Sequence, residues 1–151
     1  MTPGGEAVPS VVFHGRRYAA ALTSANAYSN FIVRLQVCDD QAVLRTLARE
    51  FSLLPEICLP VWGRMAALTA DDPAMLVEAA TAFYRHGYDE PALDLLLQAL
   101  QLDDRCLTAL ELKAALTQDP YARRLVFEEI LRIDPGNRVA VDNLIILDRP
   151  Q

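Results

Sequence analysis

The residues of this chain that could perform acid–base, nucleophilic or metal chemistry are few and far apart. Its two histidines, His14 and His86, have no evident ligand partners in the sequence. No zinc-protease, paired-cysteine, nucleophile-elbow or phosphate-loop motif occurs. His86 stands beside Gly87 at a predicted helix end, where a cation near the helix C-terminus is favourable. We therefore predict no catalytic residue, no metal and no cofactor, and an enzyme remains only a remote alternative.

Carboxylates occur mainly as adjacent pairs, which could in principle bind a cation. The pairs are Asp39-Asp40, Asp71-Asp72, Asp103-Asp104 and Glu128-Glu129. The three aspartate pairs lie where helices are predicted to begin or end, and helix capping explains them without a metal. The glutamate pair falls on the polar side of a predicted helix.

Three cysteines, Cys38, Cys58 and Cys106, are odd in number and widely separated. Such spacing does not indicate a disulfide framework. Free cysteines are among the most frequently buried residues, so we expect buried apolar thiols.

The helices that position these residues are predicted most clearly at residues 73–104. This segment predicts two helices joined by a tight turn. Asp72 is placed to cap the first helix, and Pro73 suits its first turn. Gly87 stands where a left-handed helix end is needed, and Asp89 is predicted to cap the second helix. Small and large apolar residues recur at helical spacing. They are Leu76, Ala79, Ala80 and Phe83 in the first helix, and Ala92, Leu93, Leu96, Ala99 and Leu100 in the second.

This run resembles a tetratricopeptide repeat, a helical hairpin with a period of about 34 residues. The family pattern has a large apolar residue, an apolar–small pair, an aromatic, a turn glycine, and then alanine, large residue and alanine. The matching residues are Leu76, Ala79-Ala80, Phe83, Gly87, Ala92, Leu96 and Ala99. Asp104 stands where the family has a closing proline. The resemblance implies a stack of antiparallel helical hairpins.

The flanking segments look like degenerate copies of this repeat. Downstream, EEILRIDPGN at residues 128–137 matches the end of a repeat, and its closing Pro135 follows Asp104 by 31 residues. Three residues are thus missing, either from a helix near residues 107–116 or from the turn at residues 117–120. Asp119 restarts a helix, and residues 139–147 predict a last short helix that covers the end of the stack.

Upstream, the apolar positions Leu44, Leu47, Ala48 and Phe51 repeat the first-helix pattern. The partner helix at residues 55–68 contains Pro60, and an interior proline costs a helix roughly 3 kcal/mol. Either that helix starts near Pro60, or it is kinked there.

We predict an all-α fold of about seven or eight helices in a tetratricopeptide-like α–α superhelix. Residues 1–15 have no helical period and predict a flexible arm, and residues 16–151 predict a single domain. No apolar run reaches the ~18 residues of a membrane span, and no signal peptide is evident. The expected location is the cytoplasm.

The net charge of −6 is concentrated in the helical body, since residues 73–151 alone carry −5. An acidic body argues against nucleic-acid binding, which needs a basic surface to neutralise phosphates.

In tetratricopeptide proteins the first helix of each repeat lines a concave groove. The resemblance places five residues of this chain there: Ala74, Val77, Thr81, Tyr84 and Arg85. Family members that hold the acidic tails of heat-shock chaperones use lysine and asparagine where this chain has Val77 and Thr81. We therefore expect a protein-binding adaptor, scaffold or chaperone-like holder, whose partner is a helix or an extended apolar segment. The alternative is a structural subunit that uses its helices for self-association, as a homo-oligomer, or for a permanent complex.

Overall fold

The computed structural model describes residues 10–13, 16–19 and 25–149. In these residues a two-stranded hairpin precedes eight α-helices, which confirms the predicted all-helical class for the body of the chain. The helices are α1 (Ala25–Val37), α2 (Gln41–Glu50), α3 (Pro55–Leu68), α4 (Pro73–Arg85), α5 (Asp89–Leu102), α6 (Leu107–Leu116), α7 (Pro120–Ile133) and α8 (Arg138–Leu147).

The hairpin was not predicted from the sequence pattern. Its strands β1 (Ser10–Phe13) and β2 (Arg16–Ala19) run antiparallel, with Ser10 opposite Ala19. The other residues of the predicted flexible arm, including His14, lie outside the described residues.

Backbone contacts divide the chain into two compact units, Met1–Leu68 and Thr69–Gln151. In the first unit, α3 packs against α1 and α2. Asp40 caps α2, because its carboxylate accepts the backbone N–H groups of Ala42 and Val43. All four residues of the predicted α2 stripe are buried: Leu44 and Leu47 are 0% exposed, and Ala48 and Phe51 are 4% and 5% exposed. The largest fully buried side chains of this unit are Leu44, Leu47, Ile57, Val61, Met65, Cys38 and Cys58.

Two of the three cysteines are buried thiols, as predicted. Cys38 and Cys58 are 0% and 1% exposed, and burial raises the pKa of the Cys58 thiol. Cys106 is only half-buried and occupies the N-cap position of α6. All three are free.

Pro60 lies inside α3, which runs unbroken from Pro55 to Leu68. The alternative in which the helix starts at Pro60 is therefore wrong. Because proline has no N–H, the carbonyl of Glu56 lacks its partner one helical turn ahead. The Tyr28 hydroxyl of α1 donates a hydrogen bond to that carbonyl at 3.0 Å. A side chain from a neighbouring helix thus satisfies the group that the proline leaves free.

The second unit is built from the hairpins α4–α5 and α6–α7, followed by α8, which packs on α7. Asp72 and Asp119 cap α4 and α7 with their side chains, as predicted, and Asn137 caps α8. The predicted cap at Asp89 is wrong. The N-cap position of α5 is Tyr88, which makes no side-chain capping bond, and Asp89 is the first helical residue.

Gly87 ends the first helix as predicted. Its φ is +83°, a left-handed value that favours glycine. Its N–H donates to the carbonyl of Tyr84, and the next N–H, of Tyr88, donates to Phe83, both at 2.9 Å. These bonds satisfy carbonyls that have no partner within the helix.

The three residues missing from the second hairpin come entirely from its first helix. Both turns contain three residues, 86–88 and 117–119, and both second helices contain 14. In contrast, α6 has 10 residues where α4 has 13.

Candidate functional site

The predicted groove residues of α4 differ widely in exposure. Ala74 and Arg85 are exposed, and Tyr84 is 38% exposed. Thr81 is half-buried, and its hydroxyl donates to the carbonyl of Val77 at 2.8 Å. Val77 itself is only 4% exposed. The accessible part of this face is therefore formed mainly by Ala74, Tyr84 and Arg85.

Val77 lies at the flank of the packing stripe, about 100° around the helix axis from the buried Leu76. Whether a residue at that flank is exposed or buried depends on the elements packed beside the helix. Sequence spacing alone therefore does not predict the burial of Val77.

α6 adds residues that the sequence analysis did not assign to the groove. Leu76 and Ala80 of α4 are buried, and so are Leu110 and Ala114 of α6, each 34 residues further along the chain. This register makes Thr108, Glu111 and Ala115 the counterparts of Ala74, Val77 and Thr81. Thr108 and Ala115 are exposed and Glu111 is half-buried.

The signal that would have found these residues was the 34-residue distance between helix starts, Pro73 and Leu107. The closing positions Asp104 and Pro135 are only 31 residues apart because α6 is short, and they therefore conceal this register.

α8 continues the pattern with larger apolar side chains. Ala140 is buried, and Leu144 and Leu147 pack against the same core cluster, at the spacing of Leu76, Ala80 and Phe83. Val141 and Ile145 then occupy the positions equivalent to Val77 and Thr81. Ile145 is 54% exposed.

We call the accessible side chains at these register positions the concave face, because the resemblance to tetratricopeptide repeats predicts a groove there. Its members are Ala74, Thr81, Tyr84 and Arg85 on α4, Thr108, Glu111 and Ala115 on α6, and Val141 and Ile145 on α8. The face combines apolar groups with one cation and one carboxylate. The only lysine of the chain, Lys113, lies on the packing stripe of α6 and not on this face.

The carboxylate pairs are used for helix ends and ion pairs. Asp40 and Asp72 cap helices, and Asp103 accepts the backbone N–H of Arg105 at 3.1 Å. Glu129 forms an ion pair with Arg132 one turn along α7. The part of the chain that the structure describes contains no group of three or more metal-ligating side chains.

His86 is half-buried and closes α4 as its C-cap, where its backbone N–H donates to the carbonyl of Phe83 at 3.2 Å. None of the described helices is both long and apolar enough to span a membrane.

The paired helices and the repeat register define a tetratricopeptide-like helical-repeat fold. Solved structures support this class. One is the second TPR domain of the human RPAP3 protein in complex with the HSP70 peptide SGPTIEEVD. It matches with a TM-score of 0.59 and 19% identity, over 71% of this chain and 93% of that chain.

A second similar structure is the first TPR of Spaghetti (RPAP3) bound to the HSP90 peptide SRMEEVD. It has a TM-score of 0.60 and 17% identity, and the match covers 70% of this chain and 88% of that chain. At these identities the likeness concerns the fold. No protein-family model matches the chain, and no curated protein matches its sequence.

Proposed function

We propose that this protein is a non-enzymatic protein-interaction module that binds a helix or an extended segment of another protein on its concave face. The observation that carries the proposal is the exposure of Tyr84 and Arg85 on α4. Tyrosine and arginine are, with tryptophan, the side chains enriched among residues that dominate binding energy at interfaces. Both similar structures are complexes with chaperone peptides, which supports a peptide-like partner. We place this role in the cytoplasm as an adaptor, scaffold or chaperone-like holder.

The chemistry of the concave face favours an apolar partner over an acidic one. The peptides in the two similar structures end in Glu-Glu-Val-Asp and carry several carboxylates. At the two α4 positions where chaperone-binding members of the family have lysine and asparagine, this chain has Val77 and Thr81. α6 presents the carboxylate of Glu111. A carboxylate facing an acidic peptide opposes binding, because like charges raise the free energy of the complex. Ala115, Val141 and Ile145 instead offer apolar surface for a helix or an extended apolar segment.

A partner capture with matched variants tests the proposal. The chain is used as bait in its native host extract, in the wild-type form, as the double variant Tyr84→Ala/Arg85→Ala, and as Tyr121→Ala. Tyr121 is a suitable control because it is 70% exposed and lies on α7, outside the concave face. We expect specific partners to be lost by the double variant, with at least about a tenfold drop in recovery, and kept by the control.

Recovery that is equal for all three proteins would remove the concave face as the binding site. The peptide SRMEEVD provides a second check with a purified ligand. We expect isothermal titration to detect no binding of this peptide, and micromolar affinity would contradict the apolar assignment.

A structural subunit is the second candidate, and one observation favours it. Val139, Ile145 and Ile146 of α8 are 53%, 54% and 57% exposed, so that three large apolar side chains lie on the surface of one helix. Self-association through α8 predicts a dimer or larger oligomer by light scattering, and conversion to a monomer by Ile146→Glu. A wild-type monomer at high concentration would remove this candidate.

A further inference from the structure

A second groove of about 610 Å³ lies between α5, α6 and α7. On α6 it is lined by Leu110, Lys113 and Thr117, which belong to the packing stripe of that helix and not to the concave face. The groove is therefore a separate surface of the same unit.

The groove exists because the second hairpin lacks bulk that the first one has. In the 34-residue register, Thr117 occupies the position of Phe83 and Lys113 occupies the position of Ala79. α6 also ends three residues early, so that Thr117 is already its C-cap. A threonine at the place of an aromatic ring leaves space beside Leu110 that no other side chain of the hairpin fills.

The groove has apolar walls. Leu100 of α5 is partly buried, and Leu110 of α6 is buried. On α7, Val126 is 8% exposed and the neighbouring Leu125 is 49% exposed. A large apolar side chain placed here would bury surface that is now open to water, and this burial favours binding.

The charged side chains that line the groove are predominantly acidic. They are Asp104, Glu128 and Glu129, with Lys113 and Arg132 as the cations. Glu129 and Arg132 form an ion pair, which leaves the carboxylates of Asp104 and Glu128 and the ammonium group of Lys113 at the rim. Glu128 also interacts electrostatically with Arg124, whose guanidinium pairs with Asp148. Residues 73–151 carry a net charge of −5, which strengthens the attraction of cations to this unit.

We propose that this groove is a docking site for a protein segment that inserts one large apolar side chain, of the phenylalanine or leucine class, next to a lysine or arginine. The inserted side chain takes the place that Phe83 has in the first hairpin. The neighbouring cation of the segment lies against the acidic rim formed by Asp104 and Glu128.

Lys113 provides a specific reporter for this test, because it is the only lysine in the chain. Reductive ¹³C-methylation keeps its positive charge and gives one lysine signal in NMR spectra, besides that of the terminal amine. The labelled full chain is titrated with three acetylated and amidated tripeptides: Ala-Phe-Lys, Ala-Phe-Glu and Ala-Ala-Lys.

We expect Ala-Phe-Lys to shift the Lys113 signal in a saturable way. Ala-Phe-Glu is expected to bind roughly fivefold more weakly, because it loses an attraction and gains a repulsion at the rim. Ala-Ala-Lys is expected to produce no saturable shift, because it has no side chain to insert. Equal responses to all three peptides, or none to Ala-Phe-Lys, would overturn the proposal.

Variants then locate the binding. Thr117→Phe restores the aromatic of the first hairpin, fills the groove and should abolish the response to Ala-Phe-Lys. Leu125→Gln removes an exposed apolar wall and should weaken binding at least about threefold, and it decides the matter if Thr117→Phe fails to fold. The double variant Tyr84→Ala/Arg85→Ala should leave this titration unchanged, which separates the groove from the concave face. Unaltered binding by both Thr117→Phe and Leu125→Gln would show that the peptide binds elsewhere.

Discussion

The hairpins α4–α5 and α6–α7 share one repeat pattern but pack it differently. In α4–α5, Leu76, Ala80, Ala92, Leu96 and Ala99 are all 0% exposed, so small and large residues alternate in a closed interface. Such close packing is typical of protein interiors, and it leaves no room for a ligand.

In α6–α7 three positions of the same pattern carry other residue types. Lys113 replaces Ala79, Thr117 replaces Phe83, and Arg123 replaces Ala92, given the 31-residue offset between α5 and α7. The Nε atom of Arg123 is buried and has no hydrogen-bond partner in the described part of the chain. Its guanidinium lies 6.0 Å from the centre of the Phe127 ring. The second hairpin therefore keeps the repeat fold but packs less closely, and a groove opens beside it.

The largest change in the free energy of unfolding is expected when a core leucine of either hairpin is replaced by alanine. Leu76→Ala should lower the free energy of unfolding by about 3 kcal/mol, because the cavity it leaves is closed on all sides. Leu110→Ala should cost about 1 kcal/mol less, since Leu110 borders an open groove and water can enter the space. Urea unfolding followed by circular dichroism measures both. Equal losses would mean that the two hairpins are packed equally well.

The second-largest change in stability is expected at Gly87, the turn glycine of the α4–α5 hairpin. Gly87→Ala should destabilise by about 1–2 kcal/mol, because φ of +83° is unfavourable for a residue with a Cβ, although the Cβ would meet no neighbour. Gly136→Ala is the control in the same unit, where the added Cβ would be 3.8 Å from an Asp134 carboxylate oxygen, an ordinary contact. We expect the control to change stability by less than about 0.5 kcal/mol in the same urea experiment. A comparable loss for both would point to the turns in general and not to the φ of Gly87.

Removing the helix caps of the two hairpins should lower stability by a smaller amount. The Asp72 carboxylate accepts two backbone N–H groups, at 3.1 and 3.3 Å, whereas Asp119 accepts one at 2.8 Å. Asp72→Ala and Asp119→Ala should each cost about 1 kcal/mol, with Asp72→Ala the larger. Asp89→Ala, at a position that makes no cap, should cost less than about 0.5 kcal/mol. A thermal melt of the three variants ranks them, and a large effect at Asp89 would contradict the observed start of α5.

The smallest effect is expected at Arg123. Arg123→Met keeps an unbranched stem as far as the Nε position, and it removes both the unpaired Nε and the guanidinium near Phe127, so it should stabilise the chain by about 0.5 kcal/mol. Arg132→Met, at an exposed ion pair, is the matched control and should change little. Destabilisation by Arg123→Met alone would indicate that the contact with the Phe127 ring outweighs the unpaired nitrogen.

Local features of the fold could be predicted from neighbouring residues. Asp72 with Pro73, and Gly87 after Phe83, define the start and end of α4 because caps and left-handed turns depend on the chain next to them. The α5 cap was mispredicted at Asp89, since a favourable cap residue stood one position inside the helix.

Fewer features of the candidate site could be predicted from the sequence. Tyr84 and Arg85 are exposed as expected, yet Val77, from the same pattern, is buried. The α6 residues Thr108 and Ala115 were missed because the short helix shifts the register between the starts and ends of the two hairpins.

The helical hairpins, their main caps and the acidic charge follow from the sequence alone, since each depends on spacing and composition along the chain. Contacts between different helices, in contrast, are visible only in the folded structure. The Tyr28 hydroxyl satisfies the Glu56 carbonyl that Pro60 leaves free, although the two groups are 28 residues apart. Likewise, Thr117 marks a groove only because α5 and α7 stand on either side of it. Burial and unfilled space depend on side chains distant in sequence, and they are therefore visible only after folding.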